Sequence, residues 1–165
     1  MRFGPAAAAL SLFVAVNASV GHASQEAPDP RAEALVAEGR AHLAQGDTQG
    51  AIDAFEAALT VDPGYTQVYI DLAEVARAEG LQGKAIRYYR EARERDPENL
   101  AAISGEGEAL VEKGALAAAR ENLEVLQSLC GDGCVETMAL AAVIDRGPPV
   151  MTAEVVSPVD EVTQN

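Results

Sequence analysis

Tryptophan is absent from this chain of 165 residues, and aromatic residues of all kinds make up only 4%. Sheets draw on aromatic and β-branched side chains, so this scarcity argues against a β core. Hydrophobic residues still reach 48%, much of it alanine, and a core of Ala and Leu suits closely packed helices. Basic residues are scarce too, 12 against 26 acidic, for a formal net charge of −14. Such a surface repels phosphate backbones and anionic headgroups, which speaks against nucleic acid as a partner. Histidine occurs only as His22 and His42, and cysteine only as Cys130 and Cys134. No Ser/His/Asp arrangement has a second candidate base once residue 22 is lost, and no glycine-rich phosphate loop is present. Neither an enzyme nor a cofactor is expected. The length fits one domain with room for tails.

Long apolar runs are confined to the N-terminus. Arg2 gives a positive start, Ala6 to Val16 is apolar apart from Ser11, and Gly21-His22-Ala23 precedes Ser24-Gln25. That order is a secretory signal peptide over residues 1–23, with cleavage after Ala23. The run is too short to cross a hydrocarbon core of roughly 30 Å, although a retained anchor is the alternative. Neither cysteine lies near the cleavage point, which argues against a lipid anchor. Export leaves 11 basic against 26 acidic residues, a charge of −15, and a periplasmic or secreted protein with no membrane contact. The preference for arginine over lysine fits a GC-rich bacterial source.

What the chain does have is a period of 34 residues. Asp62-Pro63 aligns with Asp96-Pro97; Gly46, Gly80 and Gly114 form one series; Ala51, Ala85 and Ala119 form another; and Phe55, Tyr89 and Leu123 form a third. A fixed period of this length marks stacked supersecondary units. The spacing predicts a helix pair per unit, joined at the glycine, where a left-handed backbone tolerates no Cβ. Small residues at 51, 85 and 119 let the second helix approach the first, and Phe55 and Tyr89, one turn on, fill the gap. Asp62 and Asp96 are expected to cap the next unit's first helix, with Pro at its first position.

These residues resemble the tetratricopeptide repeat family, whose pattern is an aromatic, Leu-Gly and Tyr in the first helix, then Ala, an aromatic and a closing Pro. A unit at about 32–65 matches with Gly39, Ala51, Phe55, Ala58 and Pro63, and Leu35 stands where an aromatic is common. The next, about 66–99, matches with Tyr69, Leu72, Ala73, Ala85, Tyr89, Ala92 and Pro97. A third, about 100–131, matches with Ile103, Gly107, Leu110, Gly114, Ala119 and Leu123, with Gly131 in place of Pro. Glu38 and Glu106 stand where the family has Leu, and His42 where it often has Tyr. A glutamate there is expected to lay its stem on the packed face and turn its carboxylate outward. His42 is expected to be a packed inner-face residue. The resemblance implies an all-α fold: an α-solenoid of about three helix-turn-helix units over residues 31–145.

Cys130-Gly131-Asp132-Gly133-Cys134 follows the third unit, and a helix over about 135–145 follows the loop. In an oxidising compartment a Cys130–Cys134 disulfide is the simplest reading, pinning that helix as a cap over the last unit. A redox-active dithiol usually has two intervening residues where this loop has three. Zinc needs more ligands than two cysteines and Asp132 supply, so no metal site is expected. Residues 24–30 read as a leader. Residues 146–165, with Pro148, Pro149 and Pro158, read as a disordered acidic tail.

The resemblance implies a concave surface lined by the first helices, placing Val36, Arg40 and Leu43, then Ile70, Glu74 and Arg77, then Ser104, Glu108 and Val111 along a groove. Three helices spaced by about 10 Å make room for roughly six to nine extended residues. A protein or peptide partner is therefore expected. A clamp for a terminal carboxylate is not, because Val36, Glu74 and Ser104 stand where its basic and amide groups belong. Lys84, Arg87, Arg90 and Arg93 form a basic row on the second helix of the middle unit, interleaved with Glu91 and Glu94, and read as a salt-bridged solvated face. A thiol-active envelope protein and a self-associating structural protein are the competing functional readings.

Overall fold

A computed structural model describes residues 27–149. The expected signal peptide, residues 24–26 of the leader and residues 150–165 of the acidic tail lie outside these residues. Among the described residues seven helices follow one another: α1 (Pro30–Ala44), α2 (Thr48–Val61), α3 (Thr66–Ala78), α4 (Gln82–Arg95), α5 (Leu100–Glu112), α6 (Leu116–Cys130) and α7 (Val135–Arg146). No strand occurs among the described residues, and no helix among them is long and apolar enough to cross a membrane. The helices form three antiparallel pairs, α1–α2, α3–α4 and α5–α6, stacked through α2–α3 and α4–α5. The chain is an all-α solenoid, closed at its C-terminal end by α7, which packs on both α5 and α6.

Each pair turns on one glycine. Gly46, Gly80 and Gly114 have φ of +77°, +75° and +84°, a region where a side chain would be strained. Their N–H groups donate to Leu43, Arg77 and Val111, and those of the next residues donate to His42, Ala76 and Leu110. These paired hydrogen bonds satisfy carbonyls in the last turn of each first helix. Gly147, with φ +75° and its N–H donated to Val143 and Ile144, ends α7 on a positive-φ glycine as well.

The Asp-Pro steps play a different role from the one the spacing predicts. Only Asp29-Pro30 opens a helix, with the Asp29 carboxylate accepting from the Arg31 N–H. Asp62 and Asp96 instead terminate α2 and α4, and α3 and α5 begin later, after Tyr65 and Asn99. A residue before proline is driven from helical to extended backbone, and Asp62 (φ −135°, ψ 89°) and Asp96 (φ −138°, ψ 86°) follow that rule. The Asp62 carboxylate then organises the turn, accepting from Gly64 N–H at 3.0 Å and from Asp29 N–H at 3.1 Å.

Glycines and large side chains interlock through the core. Ala51, Ala85 and Ala119 are fully buried, which brings the paired helices close. Phe55 fills the first pair over Gly39, where a Cβ would stand 2.5 Å from the ring. Leu140 of α7 reaches Gly107 of α5 in the same manner, 2.6 Å from where a Cβ would be, and joins Ile103 and Leu126 in the last core cluster.

Glu106 overturns the expectation for its position. Its residue is 3% exposed, and its carboxylate points into the α4–α5 seam, where it accepts from Arg90 Nε at 2.7 Å and from Arg93 Nη1. The seam supplies two guanidinium groups, so a buried charge is held there instead of turning outward. Glu38, by contrast, is exposed beside His42. His42 is not packed in the core either: it is partly exposed near the end of α1, with Nδ1 2.8 Å from Asp47 Oδ2.

Candidate functional site

The first helices α1, α3 and α5 form one layer, and ion pairs run across it from helix to helix. Arg40 of α1 donates to both carboxylate oxygens of Asp71 on α3, at 2.9 and 3.2 Å. Asp71 is 8% exposed and also accepts from Gln67 at 3.1 Å. Arg77 of α3 reaches α5, where Glu108 lies at 2.9 Å and Glu112 at 2.5 Å. Each arginine meets an acid 31 positions further on, Asp71 for Arg40 and Glu108 for Arg77. That offset is the repeat length of 34 less three residues, about one helical turn back on the neighbouring first helix.

Beneath this layer lies Tyr89, delivered from α4. It is 1% exposed, and its hydroxyl stands beside Arg77. Burial pushes the Tyr89 phenol up, and the Arg77 guanidinium opposes that rise. Burial opposes the charge on Arg77, but Glu112, Tyr89 and Glu108 outweigh it and hold the group protonated. Glu74 lies among Arg40, Asp71, Arg77 and Glu108, yet among the described residues it forms no salt bridge. Its carboxyl is raised above the ordinary range, first by desolvation and then by the Asp71 charge, with Arg77 and Arg40 pulling the other way.

The groove expected from the repeat pattern is narrower than its nine positions suggest. Arg40, Leu43 and Glu74 are exposed, and Arg77 and Glu108 are partly so. Val36, Ile70, Ser104 and Val111 are buried, at 2%, 2%, 6% and 1%. Val36 packs with Phe55, Val68 and Leu72, while Ile70 and Val111 belong to the Tyr89 cluster. Ser104 is covered by α7, its hydroxyl 3.3 Å from the Glu136 carbonyl. These four lie within the packing beneath the surface of the layer. Asp71 and Glu112, absent from the expected groove, complete its ion pairs.

A cleft of about 590 Å³ continues this surface between α3, α5 and the end of α7, with Arg77, Glu108, Glu112, Val143, Arg146 and Pro148 in its walls. A larger one, about 900 Å³, lies along the edge where Asp29, Asp62 and Asp96 line up. The Asp29 and Asp62 side chains there are engaged in turn and cap hydrogen bonds. The basic row on α4 does not act as a unit. Arg90 and Arg93 turn to Glu106, while Lys84 and Arg87 flank the Tyr88 ring at 5.7 and 6.0 Å.

Cys130 and Cys134 place their sulfurs at bonding distance, with a Cα–Cα separation of 5.9 Å, inside the range a disulfide accepts. The buried Thr137 hydroxyl lies 2.9 Å from the Cys134 sulfur. A Glu136 carboxylate oxygen lies within 4.8 Å of both sulfurs, giving at most three ligand atoms, one short of a structural zinc site. Asp132 is not among them, since it accepts from Gln127 at 2.9 Å.

A family model described as a tetratricopeptide repeat matches three times, over residues 4–66, 36–99 and 70–131. No curated protein matches the chain. Among solved structures, the Sgt2 TPR domain from Aspergillus fumigatus superposes with a TM-score of 0.64 at 25% identity, covering 82% of this chain and 96% of that one. The type III secretion chaperone SycD of Yersinia enterocolitica, solved with a peptide of the translocator YopD, gives 0.62 at 20% identity, over 69% and 89%. The TPR2B domain of yeast Sti1, in an Hsp70 complex, gives 0.61 at 23% identity, over 72% and 93%.

Proposed function

The chain belongs to the tetratricopeptide repeat family, and from that premise we propose that it is a non-catalytic adaptor of the bacterial cell envelope that holds a short peptide segment of a protein partner. The observation that carries this reading is the face of α1, α3 and α5, where Arg40, Leu43, Glu74 and Arg77 reach solvent on helices joined by ion pairs. Presentation of exposed polar and apolar groups on preformed helices lowers the entropic cost of binding a segment. The neighbours solved with partners, SycD with its YopD peptide and Sti1 with Hsp70, support the same use of the fold. The envelope location rests on the order of residues in the first 23 positions.

Photo-crosslinking in the native host tests the adaptor reading. A crosslinking side chain at Leu43 or Glu74 is expected to trap a protein partner, whereas one at Glu56 or Arg87 on the second helices is not. Trapping only from the second helices would move binding to the other face. Mass spectrometry of the mature protein tests the location, with a first residue of Ser24 expected and an intact Met1 counting against export.

A further inference from the structure

We propose that the inner face selects a segment carrying a lysine or arginine, which seats its positive charge on Glu74. The inference rests on the adaptor reading and narrows it to one class of ligand. Four acids stand on this face, Asp71, Glu74, Glu108 and Glu112, against Arg40 and Arg77. Both arginines are already bound by carboxylates on the adjacent helix, so neither is available to a ligand without breaking a pair. Glu74 sits between the two pairs on the middle helix, exposed and without a counter-ion among the described residues.

An unbalanced carboxylate in a partly desolvated groove is an anchoring point for a cation. Its field is less screened than at an open surface, and the wrong sign of charge is repelled. The raised Glu74 carboxyl agrees with this, because Asp71 repels its ionised form and a bound cation would relieve that repulsion. The chain's own C-terminal residues 150–165 do not meet the requirement: they contain Glu154, Asp160 and Glu161 and no basic residue. Arg146, on α7, lines the adjoining cleft with Arg77, Glu108 and Glu112, and the cations that act on Glu74 are Arg77 and Arg40.

A phage-displayed library of random nine-residue peptides, panned on the purified chain, supplies the probe. The selected peptides are expected to be enriched in Lys or Arg. A synthetic copy should bind about tenfold more weakly to Glu74→Gln, and its affinity should fall as salt is raised. Replacing its basic residue with Glu should abolish binding to the native chain and restore it on Glu74→Lys, whose fold is checked by circular dichroism. Peptides that perturb amides of α1, α3 and α5 but show neither basic enrichment nor sensitivity to Glu74→Gln would overturn the charge selection and leave the adaptor reading standing. Recovery of no peptide, or perturbations confined to the second helices, would overturn both.

Discussion

Tyr89 reaches the inner face only because residue 105 is glycine. A Cβ at Gly105 would stand 2.7 Å from the phenolic oxygen and closer still to the ring. The ring thus passes under α5, seals the seam between the second and third units, and places its hydroxyl beside Arg77.

Gly105→Ala is therefore expected to destabilise the fold by about 1–3 kcal/mol, the range for overpacking a filled core, even though alanine is the better helix former. Thermal unfolding monitored by circular dichroism measures it. Tyr89→Leu alone should also destabilise, but in the Gly105→Ala background it should cost less, since the added methyl and the lost ring share one space. Additive effects would refute the contact.

Glu106 gives the second prediction. Removing one partner of a buried ion pair strands a charge, whereas replacing the whole arrangement with a packed apolar group is often neutral or favourable. Arg93→Ala deprives Glu106 of one cation and Asn122 Oδ1 of its donor at 3.0 Å, so it should lower the melting temperature. Arg90→Ala with Arg93→Ala should reach the roughly 3–5 kcal/mol seen when a buried charge is left unpaired. Glu106→Leu, the residue type the family has there, should leave the melting temperature unchanged or higher. A large loss in that variant would mean the carboxylate contributes more than its partners require.

These two sites mark the boundary of what the residues alone reveal. The 34-residue period was legible because small and large apolar positions recur in register: Ala51, Ala85 and Ala119 all turn out fully buried. The glycine turns were legible because only Gly tolerates their positive φ. Glu106 was misjudged because burial of a charge depends on which cations the next layer brings, and Arg90 and Arg93 lie 16 and 13 residues away on another helix. The Asp-Pro steps were misassigned because Pro both opens and stops helices, and Asp29 does the one while Asp62 does the other. The groove was half legible. A helical face can be listed from period alone, yet which of its positions the neighbouring layer covers, such as Ser104 under α7, depends on a cap whose placement the repeat does not encode.

Glu74 makes a prediction in pH as well as in charge. Its folded carboxyl titrates above the ordinary 4.5, chiefly through desolvation. A raised acid contributes stability when protonated, fully present below the unfolded value and lost as pH rises through the folded one. At neutral pH the ionised group thus weighs against folding, and Glu74→Gln should raise the melting temperature. Because the residue is exposed, the gain should be small, within about 0.5 kcal/mol. The advantage should vanish below the ordinary carboxylate range. A gain that persists at acid pH would trace to something other than the charge.

The cysteine loop separates a structural bridge from working thiols. Cys130 ends α6 and Cys134 caps α7, so a bond between them would tie the cap helix to the last unit across five residues. Chain entropy alone gives such a short loop about 2 kcal/mol of stabilisation. Replacing both cysteines with serine should therefore lower the melting temperature by several degrees. The loss should appear first in α7, whose Leu140 and Ile144 hold the final cluster, and amide hydrogen exchange resolves that helix from α1–α4. Protein isolated under oxidising conditions should resist alkylation until reduced, since bridged sulfurs offer no thiolate to the reagent. Rapid labelling of the native protein, with no change in α7 exchange in the serine variant, would instead identify a reactive dithiol, because a thiol attacks only when exposed and ionised.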